Sequence, residues 1–167
     1  MQINIESLDR HIEAGTLLRG AWGDGHERAC LMSALVRGAK SVYDCAAKGW
    51  PLWLAELSVW LFDGFDDADY IERGRAMAEA IAASDQDWDR VYRDVRLNSI
   101  LPITMDSIGD GDEPWRVACR HAVQLSIDDD GAPAAVAAGA PWAAEDAGSV
   151  EALNKIYDAL MASLNTK

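Results

Sequence analysis

Apolar positions recur at three- and four-residue spacing along most of the chain, the period of helices with one buried face. Leu8, Ile12 and residues 17–18 form a first stripe, starting at Ser7 with Asp9 in the dipole-favoured first turn. Ala29, Leu31, Met32, Leu35 and Val36 predict a second helix over residues 26–36, closed by Gly38. Ser41 is placed to cap a short helix through Cys45 that Gly49 ends. Pro51 then opens a helix through Leu52, Leu54, Leu57, Val59 and Leu61, apolar around much of its circumference and expected to be the central core helix.

Beyond an acidic turn at residues 63–67, Asp66 or Asp67 is expected to cap a helix with Ile71, Ala78 and Ile81 inward and Glu72, Arg73, Arg75 and Glu79 in water. Ser84, followed by Asp85 and Asp87, starts another, with Trp88, Val91, Tyr92 and Val95 at helical spacing and Pro102 beyond its end. Residues 106–114 read as an acidic loop. Trp115, Ala118, Ala122 and Val123 mark a helix ended by Asp128-Asp129-Asp130-Gly131. Residues 132–147 are nearly all alanine, glycine and proline and read as a thin helix or a linker. Ser149 is expected to cap a last helix whose stripe of Leu153, Ile156, Tyr157, Leu160 and Leu164 must dock on the core or on a second subunit. Only residues 2–5 alternate as a strand would. The expected fold is therefore all-α, an irregular multi-helix bundle with at most one short N-terminal strand. Its expected parts are a helical core domain over 1–130, an Ala/Gly/Pro-rich connection over 131–148 and an amphipathic helix over 149–167.

Composition supports a packed core and narrows the setting. Half of the 167 residues are apolar and seven are tryptophan, each needing apolar surroundings and a partner for its indole N–H. The three cysteines, Cys30, Cys45 and Cys119, are an odd number at unrelated spacings, which fits reduced thiols better than a disulfide framework. The first residues lack the basic and apolar regions of a signal peptide and no window suits a bilayer span, so a cytoplasmic protein is expected.

Charge changes the picture most. The net charge of −13 is unevenly spread: residues 27–60 carry three acids and four bases, residues 61–95 ten acids against four arginines, and residues 96–167 eleven acids against five bases. Such a balance excludes direct binding to nucleic acid or to an anionic membrane, which needs clustered Lys and Arg.

At Trp22-Gly23-Asp24-Gly25-His26-Glu27, at Cys30-Leu31-Met32-Ser33-Ala34-Leu35, and from Asp44-Cys45 through Gly49-Trp50-Pro51 and Trp53-Leu54 to Leu61-Phe62-Asp63, the chain resembles a group of uncharacterised bacterial and phage-encoded proteins. These share a Cys-Leu/Met-Met-Ser-Ala-Leu segment, a Gly-Trp-Pro segment and an acidic turn. The resemblance implies a helical unit recurring in bacteria and their mobile elements, and a role in conflict between host and phage; it assigns no active site.

Among candidate chemistries, Cys30 lies four residues after His26, so on one helix the two share a face; an imidazole-activated thiol with Asp24 as orienter is the catalytic reading, and a small buried core residue the plainer one. The spacings offer no structural zinc site, and residues 106–117 place Ile108, Pro114 and Val117 where an EF-hand needs oxygen ligands. Trp50, Trp53 and Trp60 fall near one helical face, as core packing requires; an exposed side would suit a protein interface. Neither a metal nor a cofactor is expected. The aspartates have two readings, as solvated caps and faces or as surfaces for a basic partner: Asp63, Asp66, Asp67, Asp69, Asp85, Asp87, Asp89, Asp110, Asp112, Asp128, Asp129 and Asp130. The leading expectation is a non-enzymatic acidic protein that inhibits or regulates a basic bacterial partner, such as a nucleic-acid-handling complex of the CRISPR effector kind, by nucleic-acid mimicry. The alternatives are a thiol enzyme using Cys30 and His26, and a structural module that forms a homodimer through residues 149–167.

Overall fold

The computed structural model describes residues 1–23, 27–114, 116, 117, 120 and 150–166. These residues are mostly helical, with one small parallel sheet of two strands. They divide into two compact units, Met1–Trp88 and Asp89–Thr166. The expected helix over 115–123, the Asp128–Asp130 run and the Ala/Gly/Pro-rich stretch lie wholly or largely outside the described residues.

In the first unit, α1 spans Ile5–Glu13 and begins earlier than the apolar stripe indicates, because Asn4 caps it: its side-chain oxygen accepts the Ser7 N–H at 3.0 Å. Residues 2–4 are not a strand. They are held instead by single hydrogen bonds to Leu35 and to the residue before Pro51: the Asn4 N–H donates to the Leu35 carbonyl and the Trp50 indole N–H donates to the Gln2 carbonyl at 2.8 Å. The strands are β1, Leu17–Leu18, and β2, Ala29–Cys30, paired in parallel with Leu17 opposite Ala29 and Leu18 opposite Cys30. This register takes residues 17–18 away from the first helix, to which their apolar character assigned them. Gly23 bridges to Ala29 with φ +70°, and a Cβ there would lie 2.2 Å from the Arg28 carbonyl oxygen. Only glycine fits that approach.

The second expected helix is shorter than its pattern: α2 covers only Leu31–Leu35, all five residues buried. Ala29 and Cys30 carry the same apolar character but extend the sheet instead, because a run this short satisfies either period. Next comes α3, Val42–Ala47, capped by the Ser41 hydroxyl, which accepts the Asp44 N–H at 3.2 Å, and followed by Gly49 at φ +89°. Pro51 then precedes α4, Leu52–Gly64. Its buried face, Leu54, Ala55, Ser58, Leu61 and Phe62, follows the helical period and meets α2, α3 and α5.

Helix α5, Tyr70–Ala83, buries Gly74, Met77, Ala78 and Ile81. A Cβ on Gly74 would sit 2.7 Å from the Phe62 ring, so the missing side chain sets how closely α5 approaches α4. Phe62 in turn meets Tyr70 edge to face at 5.4 Å. The Asp66 and Asp67 side chains do not cap α5. Asp69 occupies that position without a side-chain cap, and the Asp66 backbone carbonyl accepts from the Asp69 and Tyr70 amides. Arg75 on α5 clasps Asp9 on α1, Nε donating to Oδ1 at 2.8 Å and Nη2 to Oδ2 at 3.4 Å.

In the second unit the chain stays helical where Pro102 was expected to follow an end. Helix α6, Trp88–Val95, passes through a π-helical segment, Arg96–Ile100, into α7, Leu101–Ile108. Proline in a continuous helix lacks an N–H and crowds the carbonyl four residues back; a wider turn just before Pro102 relieves both problems. Asp106 consequently belongs to α7. The last helix, α8, Val150–Asn165, lays Ala152, Ile156, Tyr157, Leu160 and Leu164 inward and packs on the π-helical segment. Ser163 on α8 donates to Asp94 at 3.0 Å, and Arg90 bonds the same carboxylate at 2.8 Å. No helix among the described residues is long and apolar enough to cross a membrane.

Candidate binding surfaces and a polar cleft

The thiol reading depends on Cys30 sharing a helix with His26, and the backbone removes that premise. Cys30 is extended, at φ −78° and ψ 172°, and is the cap of α2: its Sγ accepts the Ser33 N–H at 3.4 Å. Ser33 is fixed in turn, donating from its hydroxyl to the Trp22 carbonyl at 2.7 Å. His26 and Asp24 lie outside the described residues. Cys45, buried in α3, is no better a nucleophile, since burial foremost, with the nearby Cys30 adding to it, pushes its thiol up to about 11. Such a group holds almost no thiolate at neutral pH. Among the described residues no group of three metal-ligating side chains comes together.

The aspartates proposed to bind a partner separate into different roles. Asp63 and Asp67 fasten the turn between α4 and α5 to the loop after β1. Arg19 donates to the Asp67 carboxylate and to the carbonyls of Asp63 and Phe65, and stacks over Tyr70 at 5.2 Å; the Asp63 side chain accepts the Gly20 N–H at 2.9 Å. The carbonyls Arg19 takes are those left open at the C-terminal end of α4, where a cation is favourable. Asp66 and Asp69 are exposed in the same turn and accept no side-chain hydrogen bond. Asp85 and Asp87 are exposed just past the opposite end of α5, a helix about 20 Å long, and Asp89 is exposed in the first turn of α6, in the second unit. Asp110 and Asp112 are exposed after α7, and Asp128, Asp129 and Asp130 lie outside the described residues. Within the first unit the aspartates proposed to bind a partner therefore form two separate groups, Asp63 to Asp69 and Asp85 with Asp87.

Trp50, Trp53 and Trp60 also differ among themselves. Trp50 precedes α4 and is buried, while Trp53 and Trp60, seven residues apart on α4, are half-buried on either side of a half-buried Leu57. This stripe runs beside the fully buried face of the helix.

A cleft that the sequence gave no reason to expect opens where α1 meets α2. It encloses about 800 Å³ and is lined by Asn4, Ser7, Arg10, His11, Ala14, Thr16, Glu27, Ser33, Arg37 and Gly38. Most of the residues around it carry polar side chains, two of them guanidinium groups, set in a wall whose exposed surface is mainly apolar. His11 is buried in its wall, with Nδ1 paired to the Thr16 hydroxyl at 2.8 Å. No local signal joins these residues. Arg10 has Glu6 and Glu13 at helical spacing and reads as a surface pair, and Arg37 stands in an acid-free stretch, residues 28–43. Only the packing of α1 on α2 brings them to one opening.

No protein-family model, curated protein or solved structure matches this chain.

Proposed function

We propose that the chain is a non-enzymatic binding protein whose exposed carboxylates engage a basic partner and thereby inhibit or regulate it. The observation that carries this reading is the exposed acidic turn at the start of α5. Asp66 and Asp69 serve no side-chain bond there, and Asp67 keeps a side chain 99% exposed although it meets Arg19. Carboxylates held on a fixed backbone present negative charge without an ordering cost, which favours association with a basic surface and makes it sensitive to salt. A basic surface evolved to hold phosphates is the partner such an array fits, and a nucleic-acid-handling bacterial complex, of the CRISPR effector kind, presents one. The resemblance to bacterial and phage-encoded proteins supports the same setting, inside a bacterial cytoplasm.

The structure selects the variants for the test. Asp63 and Asp67 hold the fold, so replacing them confounds binding with stability; Asp66, Asp69 and Asp85 do not. The chain and its Asp66→Asn/Asp69→Asn/Asp85→Asn variant are used as bait in bacterial lysate at low and high salt, with mass-spectrometric readout. The expected result is a basic partner retained at low salt by the parent chain and lost both at high salt and with the triple variant. A partner held equally by both chains at both salts overturns the reading.

A further inference from the structure

In a chain with 28 acids and 15 basic residues, an arginine has carboxylates available nearly everywhere. Arg19 pairs with Asp67, Arg75 with Asp9 and Glu79, Arg90 with Asp94, and Arg116 with Glu113. Arg120 uses its guanidinium on the carbonyls of Gly109 and Gly111, and Arg96 lies under the Tyr92 ring. Among the described residues Arg10 and Arg37 stand apart. Arg10 donates only from Nε, to the Glu6 carbonyl at 3.4 Å, with Glu6 and Glu13 close in sequence and neither forming an ion pair with it; the Arg37 guanidinium has no bond at all. Both line the same cleft.

We propose that this cleft binds a small organic oxyanion, a carboxylate or a phosphate ester, held by the guanidinium groups of Arg10 and Arg37. A planar guanidinium with open N–H donors matches the two oxygens of either group in a paired, charge-assisted geometry. A volume near 800 Å³ is that of a metabolite-sized site and far exceeds what a single inorganic ion fills. The rest of the wall mixes apolar surface with a few polar groups, which suits the body of an organic ligand better than a bare ion. Asn4 uses its side-chain oxygen on the Ser7 N–H and keeps its amide N–H donors, the Ser7 hydroxyl is uncommitted, and His11 has only Nε2 left after pairing with Thr16. This site lies on α1 and α2, away from the aspartates of the α4–α5 turn, and does not depend on the basic-partner reading.

The test is calorimetric titration of the full chain at low ionic strength with three probes, inorganic phosphate, citrate and adenosine monophosphate, with backbone amide shifts mapped in parallel. The expected result is saturable binding of citrate or of the nucleotide, the one that binds identifying the carboxylate or the phosphate ester, with shifts confined to residues 4–16 and 27–38. Arg10→Gln and Arg37→Gln are each expected to weaken it about tenfold or more, while Lys40→Gln, an exposed cation outside the lining, leaves it unchanged. Binding of all three probes at equal strength, saturable binding of none, or affinity undiminished in both arginine variants overturns the proposal.

Discussion

Arg19 and Arg37 belong to the same compact unit and carry the same charge, yet their surroundings use that charge in opposite ways. Arg19 is folded over the end of α4, bonded to the Asp67 carboxylate and to two backbone carbonyls and stacked on Tyr70, so this cation fastens the acidic turn. Arg37, just past α2, contributes only its backbone carbonyl, which accepts from the Lys48 ammonium, and leaves its guanidinium open beside the cleft. In a chain with excess acid, the first cation is consumed structurally where helix-end carbonyls and a carboxylate converge, and the second stays unpaired where neither does. Charge on the sequence therefore does not reveal which ionic groups remain available; the convergence of the backbone decides that.

The acidic turn can be broken most severely from beneath. Gly74→Val forces a branched side chain into the Phe62 ring, already 2.7 Å from where a Cβ would lie, and must separate α5 from α4. The expected loss is about 3 kcal/mol of unfolding free energy, read as a lower denaturant midpoint at unchanged slope. An unchanged midpoint would mean that the close approach of these helices sets nothing.

Direct comparison of the two arginines gives the next largest effect. Arg19→Ala should cost about 2 kcal/mol, because it leaves helix-end carbonyls without their charged donor. Arg19→Lys should recover little of this, an ammonium being unable to reach carboxylate and carbonyls in one plane. Arg37→Ala should stay within about 0.5 kcal/mol of the parent. Equal costs at the two positions would abolish the distinction between a structural and an available cation.

Acid titration offers the mildest probe. A side-chain hydrogen bond from Arg75 foremost holds the Asp9 carboxyl below its ordinary range, and the Lys40 amide, followed by the Ser41 hydroxyl, does the same for Asp44. The folded chain keeps these groups ionised where the unfolded chain takes up protons. Their contribution is therefore present above about pH 4 and is lost as pH falls through their lowered values. Melting temperature followed downward from neutral pH should fall in that window, and Asp9→Asn should flatten the fall. An identical acid limb in this variant would show that the Arg75 clasp between α1 and α5 is not felt by the fold.

How much of this was legible beforehand depended on local determination. Where one short segment carries its own cap or stripe, as with Ser41 before α3, Pro51 before α4 and the Leu160 stripe of α8, the sequence foretold the element. The buried face followed for α8, whereas in α4 only Leu54 and Leu61 of the expected apolar set are buried and Leu52 is exposed. Where a segment satisfies two periods at once, local reading failed: Ala29 and Cys30 continue the apolar pattern of α2 but join a sheet, and Pro102 follows a π-helical turn instead of a helix end. The same division holds for function. The excess of carboxylates and the exposure of Asp66, Asp69 and Asp85 were visible as composition and turn chemistry.

The sequence by itself determined a helical, tryptophan-rich, strongly acidic chain, because helical period, caps and net charge are properties of neighbouring residues. Tertiary structure alone decided that Asp63 and Asp67 are fastened by Arg19, that Cys30 caps a helix it was expected to lie within, and that Arg10 and Arg37 face one cleft. Each of those outcomes joins groups far apart along the chain, and their energies depend on which donors and acceptors the packed backbone brings within reach.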